Sequence, residues 1–476
     1  MSNTKSAAAL AAMAVLAGCT TLGPDYAPPA QALPVAWSQV SKTALPDADD
    51  LSHWWTRLGD PLLSELVTRA LADSPTLHQA QAKLRQARAR LALAGAGQQP
   101  TLTASGSASR NRSSEEAGSG ATRSLYSIGL DASWEADVFG GIRRTQEAAQ
   151  ADMEASLASL HGTRVSLAAE VALNYLSLRA SQQRLEIARA SVASQAETLQ
   201  LTDWRAQAGL TTALDVDQAR ASLEQTRARL PLLEAGVHEA GHRLAILLGQ
   251  APGSQDERLA AVQDLPALPQ RVAVGIPADT LRQRPDVRAA ERSLAAETAR
   301  IGVAEAQRFP GITLGASLGL EALTPAGLAR DALAASLLAR VTGTLFDGGR
   351  LEGQVEIQRA VQAQALAAYR SSVLTALEEV ENALVALARE HQRQARLASA
   401  EGATASAAQL ARQQYLAGLV DFQSVLSSQR TLLDLRDSLK SSQADGASAL
   451  VRLYKALGGG WSPLADSPNP SSEPQS

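Results

Sequence analysis

Leu125-Tyr126-Ser127-Ile128-Gly129-Leu130-Asp131-Ala132-Ser133-Trp134 decides the fold of this 476-residue chain. Successive side chains of a strand point to opposite faces, so Tyr126, Ile128, Leu130, Ala132 and Trp134 share one face. Ser127, Gly129, Asp131 and Ser133 share the other. A strand of about 9–11 residues with one apolar and one polar face is what a transmembrane β-barrel requires. Three more stretches alternate. From 312 to 320, Ile312, Leu314, Ala316, Leu318 and Leu320 oppose Thr313, Gly315, Ser317 and Gly319. From 101 to 109, Leu102, Ala104, Gly106 and Ala108 oppose a Thr/Ser set. Around 337 to 345, Ala339, Val341, Gly343 and Leu345 alternate with Arg340, Thr342 and Thr344, and Leu338 breaks the pattern. A half-buried strand of a soluble sheet alternates in the same way when taken singly. Four such strands, in two pairs each joined by a polar loop, point to a barrel instead. The loop Arg110 to Arg123 is expected to be extracellular.

The pairs belong to a duplication. Pro100 and Pro310 lie 210 residues apart, Phe139 and Phe346 207, and the turns Ala208-Gly209-Leu210 and Ala417-Gly418-Leu419 209. Proline is absent from Ile142 to about Gln207 and from Leu351 to about Tyr415. Each run, read as helix, is roughly 100 Å long. Apolar residues such as Leu157, Leu160, Val165 and Leu167, or Leu374, Leu377, Val380 and Leu384, recur at helical spacing and mark partner-facing stripes. The expected fold is therefore mainly α with a membrane β-barrel, from a duplicated protomer with four transmembrane strands and long coiled helices. Four strands cannot close a barrel, so two or three chains must share one.

At the N-terminus, Lys5 and the apolar run Ala7 to Ala17 read as a secretory signal. The run ends in Leu16-Ala17-Gly18-Cys19, which resembles the bacterial lipobox. That resemblance implies a diacylglycerol and an N-acyl chain on Cys19, and Thr20 in place of Asp favours the outer membrane. Cys19 is the only cysteine, so an internal disulfide is excluded. Beyond the signal no apolar stretch reaches the length of a membrane helix. A net charge of −4 argues against nucleic acid as a partner.

Seven motifs resemble, in order, those of the outer-membrane factors of tripartite efflux pumps, the TolC-like and OprM-like channels in their NodT-type lipoprotein branch. They are Leu16-Ala17-Gly18-Cys19, Gly23-Pro24-Asp25-Tyr26, Trp134-Glu135-Ala136-Asp137-Val138-Phe139-Gly140, Arg284-Pro285-Asp286-Val287, Phe309-Pro310, Leu345-Phe346-Asp347-Gly348-Gly349-Arg350 and Tyr415-Leu416-Ala417-Gly418. The resemblance implies a homotrimer with a twelve-stranded β-barrel in the outer membrane and an α-barrel in the periplasm. It also implies a periplasmic adaptor and an inner-membrane transporter of the resistance-nodulation-division (RND) type as partners. The chain would divide into a signal peptide (1–18), an anchored N-terminal and equatorial segment (19–75), a first repeat (76–250), an equatorial linker (251–284), a second repeat (285–458) and a disordered tail (459–476). In this family the periplasmic tip is closed by carboxylate rings and by bonds from a Tyr and an Arg, which match Tyr415 and Arg430. Where relatives often carry Asp, this chain has Ser424 and Ser427. Asp215 and Asp217, just after the first turn, are the substitute candidates for the gate. They also fit as carboxylates near the N-terminal end of a helix.

Two other functions compete. A lipid-tethered coiled-coil spacer accounts for the helices and the anchor but not for the strands. His238-Glu239-Ala240-Gly241-His242 fits H-E-x-x-H, the zinc-hydrolase pattern. A third ligand would have to be Asp256 or Glu257, in a Pro/Gly-containing stretch with no zincin context, so the pair is read as two surface histidines. No cofactor other than the lipid is expected, and no catalysis.

Overall fold

The computed structural model describes residues 21–30, 33–38, 44–45, 51–116, 118–266, 272–274, 277–329 and 332–461. The signal segment, Cys19 and the tail from 462 lie outside the described residues. In chain order the elements are β1 (Ala44–Leu45), a 3-10 turn (Trp54–Leu58), α1 (Pro61–Asp73), α2 (Pro75–Ala96), β2 (Thr101–Arg112), β3 (Thr122–Ala136) and α3 (Gly141–Gln207). Next come α4 (Ala213–Arg227), α5 (Leu230–Leu247), α6 (Asp256–Leu259), β4 (Val272–Ala273), α7 (Pro277–Gln283) and α8 (Pro285–Ala306). β5 (Gly311–Ala322), a second 3-10 turn (Pro325–Ala329), β6 (Leu333–Thr342), α9 (Arg350–Leu416) and α10 (Phe422–Ala456) follow. The duplication is carried by matched lengths: α2 and α8 have 22 residues each, α3 and α9 have 67 each. Pro75 and Pro285 open α2 and α8, where the missing N–H has no intrahelical partner to lose. The copies differ after the tip, where Pro231 divides the first return into α4 and α5 while α10 runs unbroken.

Contacts divide the chain into two compact units: 1–30, 82–158 and 289–371, and 31–81, 159–288 and 372–476. The first holds an antiparallel sheet in the order β2-β3-β5-β6. Its register gathers the apolar residues into continuous rows, such as Leu102-Ala132-Ala316-Leu337 and Ala104-Leu130-Leu318-Ala335. The opposite face carries Thr103-Asp131-Ser317-Ser336, laced by Ser105 Oγ to Asp131 Oδ2 at 2.8 Å and Ser317 Oγ to Ser336 Oγ at 2.8 Å. Leu337 is 86% exposed and Ile128 57%, which a soluble sheet would not leave on its apolar face. A tethered spacer has no use for this sheet.

Three expectations need correction. The fourth strand begins at Leu333 and ends at Thr342, so Gly343 to Leu345 lie outside it. Leu338, which broke the alternation, stands on the polar face opposite Gly315, where the missing side chain leaves room. The first hairpin loop is shorter than Arg110 to Arg123, because β2 runs to Arg112 and β3 starts at Thr122. Phe139 and Phe346 are not equivalent: Phe139 stacks on Phe309 at 4.8 Å, whereas Phe346 is 90% exposed. The true counterparts are Asp137 and Asp347. Asp137 accepts the backbone N–H of Ile142 at 3.0 Å and of Arg143 at 2.9 Å, and Asp347 accepts those of Gly349 and Leu351, each at 3.0 Å. Each thereby caps the strand-to-helix junction of its repeat.

The motif Gly23-Pro24-Asp25-Tyr26 is explained within this unit. A Cβ on Gly23 would stand 2.4 Å from the Gly302 Cα, so both positions exclude a side chain. Arg144 donates to the Leu22 carbonyl at 3.0 Å, the Gly23 carbonyl at 3.2 Å and Asp25 Oδ1 at 2.7 Å. Tyr26 donates to Glu291 Oε1 at 3.1 Å, and burial with that carboxylate pushes its pKa up.

In the second unit Trp54 is fully buried, with Tyr454 at 5.4 Å and Trp55 at 5.9 Å. Asp60 caps α1 and accepts the buried Tyr175 hydroxyl at 2.5 Å. β1 and β4 pair in parallel, joining the N-terminal lead to the inter-repeat segment. Buried Arg179 holds that segment through the Ala261 carbonyl at 2.5 Å and Gln263 Oε1 at 3.2 Å. The chain stays packed beyond 458. Gly460 N–H reaches the Leu51 carbonyl at 2.9 Å, and Trp461 stacks on His161 at 4.5 Å. Gly459, Gly460 and Trp461 therefore belong to the packed structure and not to the tail.

Arg284-Pro285-Asp286 is a structural knot. Buried Arg284 donates to Asp286 at 3.0 and 2.7 Å, to Glu379 at 2.7 Å and to the Ala456 carbonyl at 2.8 Å. Burial opposes ionisation of Asp286, but the bonds and charge of Arg284 prevail and hold its pKa below the usual 3.8. Its stabilising share is thus complete above that value and is lost as pH falls through the lowered one. Arg284→Ala is expected to cost about 1.5–3 kcal/mol, the range for hydrogen bonds to charged groups. In chemical denaturation it should also flatten the acid limb below about pH 4; an unchanged midpoint would refute the assignment.

Candidate functional site

α3 and α9 end in the same device. Gly209 and Gly418 adopt φ of 72° and 76°, a conformation open to glycine at little cost. Leu210 N–H then reaches the Arg205 carbonyl at 2.8 Å and Leu419 N–H the Gln414 carbonyl at 2.9 Å, satisfying orphan carbonyls at each helix end.

The next helices are capped by different residues. At α4 Thr212 and Asp215 form a reciprocal capping box, Asp215 Oδ2 accepting Thr212 N–H at 3.1 Å and the Thr211 hydroxyl at 2.5 Å. The Thr211 bond is the main reason that the Asp215 pKa is lowered. At α10 the cap is Asp421, whose Oδ1 accepts the Ser424 N–H at 2.9 Å and hydroxyl at 2.6 Å. Those bonds lower its pKa, and the charge of Asp215 opposes them. Asp215 and Asp421 are therefore near enough to repel each other. Asp217, in contrast, is exposed and, among the described residues, pairs with Arg220 at 3.2 Å.

Beneath the caps Tyr415, Phe422, Val425, Leu426 and Ala219 form a small buried cluster. Arg205 lies over the Tyr415 ring at 4.7 Å and donates to the Leu416 carbonyl at 3.4 Å. The Tyr415 hydroxyl is buried with no hydrogen-bond partner among the described residues. Arg430 donates to Ser222 Oγ at 3.4 Å, and Ser427 Oγ to the Ser424 carbonyl at 3.2 Å. Tyr415 and Arg430 thus have separate partners within one chain. Arg205 and Asp421 were missed by sequence reading. The signal was present: Thr212-x-x-Asp215 and Asp421-x-x-Ser424 are one capping pattern with the acid moved from third turn position to cap.

Leu210, Leu214 and Leu419 are exposed at these turns. Tip helices with apolar turns in one unit, and in the other a sheet whose apolar face is bare, are the parts of a channel protomer. A model of the family described as outer membrane efflux protein matches residues 66–250 and again 276–459. The chain belongs to this family. The double match also locates the duplication. Nodulation protein T of Rhizobium leguminosarum bv. trifolii is 33% identical over 453 residues, 95% of this chain and 96% of that protein. The pyoverdine export outer membrane protein OpmQ of Pseudomonas putida is 34% identical over 95% of this chain and 96% of its own. Among solved structures, the outer-membrane channel OprN superposes with a TM-score of 0.88 at 36% identity, covering 93% of this chain and all of that one. As a member of the family, this protein is an outer-membrane efflux channel component.

Removing the first cap is expected to loosen one tip helix. Thr212→Ala should cost about 1 kcal/mol, read as roughly fivefold faster amide hydrogen exchange in the first turn of α4, with Asp217→Ala unchanged. The lowered Asp215 and Asp421 values set the pH window. Capping is complete above the ordinary 3.8 and weakens as pH falls below it. Exchange at both caps that stays flat down to pH 3 would contradict this.

Proposed function

We propose that three copies of the chain pair β6 of one with β2 of the next into a twelve-stranded barrel. The trimer is then the passive exit duct of an RND-type tripartite efflux system, carrying small molecules from pump and periplasm to the exterior. The observation that carries this reading is the pair of unpaired edges, β2 and β6, on a sheet with one continuous apolar face. In hydrocarbon each unpaired backbone group costs several kcal/mol, and ring closure between copies removes both edges. The exposed turn leucines offer a periplasmic adaptor its contact, and the energy for transport comes from the inner-membrane partner. Solubilised protein should migrate as a heat-resistant trimer and conduct ions in planar bilayers; a monodisperse, non-conducting monomer would end the proposal.

The gate is proposed at the tip, with Asp215, Asp217, Tyr415, Ser424, Ser427 and Arg430 as its parts and Arg205 and Asp421 added. Because Asp215 is engaged in its cap while Asp217 is exposed, Asp217 is the better carboxylate for lining the opening. Asp217→Ala should lower cation preference in bilayers, and Asp215→Ala should raise the frequency of opening by loosening α4. Equal traces for Asp217→Ala and wild type would remove that carboxylate from the gate.

Cys19 is proposed to carry the diacylglycerol and N-acyl chain. Thr21 lies against Gly140 at the foot of β3, a Cβ there falling 2.8 Å from Thr21 Cγ2. Two residues of chain reach only about 7 Å, so an anchor on Cys19 near the ends of the strands is compatible with this contact. Radiolabelled palmitate should enter the wild type and not Cys19→Ser.

A further inference from the structure

We propose that His238, His242 and Asp256 form a divalent transition-metal site, of the Zn²⁺ class, that clips the inter-repeat segment onto α5. His238 and His242 stand four residues apart on α5, so both imidazoles leave one face of the helix, with ring centres 6.2 Å apart. Asp256 begins α6 and returns to that face. A Cβ on Gly241 would lie 3.7 Å from Asp256 Oδ1, and one on Gly253 3.8 Å from Oδ2. The carboxylate is therefore framed by two glycines. Candidate ligand atoms of all three residues lie within 4.8 Å of one another.

Metal–ligand bonds of 2.0–2.1 Å give a tetrahedral edge of about 3.4 Å, so the groups need to close by roughly 1.4 Å or less. All three are accessible to solvent, and side-chain rotation supplies that movement. Two imidazole nitrogens and one carboxylate oxygen suit Zn²⁺, Ni²⁺ or Cu²⁺ and not the all-oxygen preference of Ca²⁺ or Mg²⁺. Arginines of the surrounding elements do not neutralise Asp256. Arg189 pairs with Glu234, Arg243 with Glu170 and Arg258 with Glu65, and Asp256 has no ion pair among the described residues.

His238 and Asp256 also line a cavity of about 270 Å³ walled by Leu178, Glu186, Leu259 and Val262, which is room for a further ligand such as water on a bound ion. The third ligand missing from the H-E-x-x-H pattern is thus present, brought in by the fold. The assignment is a binding site, and no reaction is attached to it. Its mechanical effect follows from location. Arg179 and Gln182 already grip Ala261 and Leu259 from inside, and a metal at Asp256 holds the same segment from outside.

Full-length protein in detergent, without a histidine tag and stripped with EDTA, would be titrated with ZnCl₂ by calorimetry. One ion per chain is expected, with His242→Ala and Asp256→Asn each binding tenfold weaker or worse. Zn²⁺ should also slow tryptic cleavage at Arg258 in the wild type and not in His242→Ala. Equal Zn²⁺ uptake by the wild type and His238→Ala/His242→Ala, or no stoichiometric uptake by the wild type, would overturn the site. The substituted residues are accessible, so unchanged thermal melting verifies that the variants are folded.

Discussion

A backbone N–H or C=O left unpaired in hydrocarbon costs several kcal/mol, and the architecture of this chain is organised around that constraint. Within the four-stranded sheet the inner ladders are complete. The free edges are those of β2, with 12 residues, and β6, with 10. Roughly half the polar groups of each point outward. Even a few such groups would outweigh the whole stability of an ordinary domain, about 5–15 kcal/mol. The chain therefore cannot reside in a membrane as a monomer with this sheet exposed. Duplication supplies four strands per chain, and association supplies the rest.

The same duplication builds the helices, where the constraint differs. Each copy ends its 67-residue helix with a left-handed glycine and a capped return. Within those shared rules the copies diverge at the acids, at Pro231 and at the cap. The strands have less freedom, because both copies must present one apolar and one small or polar face to the same surroundings. Divergence is tolerated where water can satisfy the backbone and suppressed where it cannot.

Strands and long helices were legible because periodicity of 2 and 3.6 is written locally. What sequence reading missed is non-local. Gly23 faces Gly302 and Arg144 reaches Asp25, each across a separation that no local pattern encodes, while Asp256, named as a possible third ligand, is brought to His238 only by the fold. Phe139 and Phe346 were matched by residue type, although the conserved function in each copy is the capping carboxylate two residues before the one and one residue after the other. At the tip, Ser424 and Ser427 drew attention as departures from an acidic pattern. The acid had moved to Asp421, where it doubles as a helix cap.

That doubling bears on how a tip can be both stable and able to open. Asp215 and Asp421 each stabilise a helix start by staying ionised, and the charge of Asp215 makes ionisation of Asp421 harder. A cap is strongest when its acid is fully charged, and then the repulsion between the two return helices is also greatest. Stabilising each helix individually and holding the two together are therefore opposed. Any cation brought to the tip, whether an arginine of a neighbouring subunit or of a partner, relieves the repulsion without weakening either cap. Arg205, over Tyr415, lies in the last turn of the helix before the first cap, and Arg430, on Ser222, lies on the helix that Asp421 caps. A small shift of charge among these groups changes the relation between helices while leaving each helix folded, which is the physical requirement for a gate built from rigid parts.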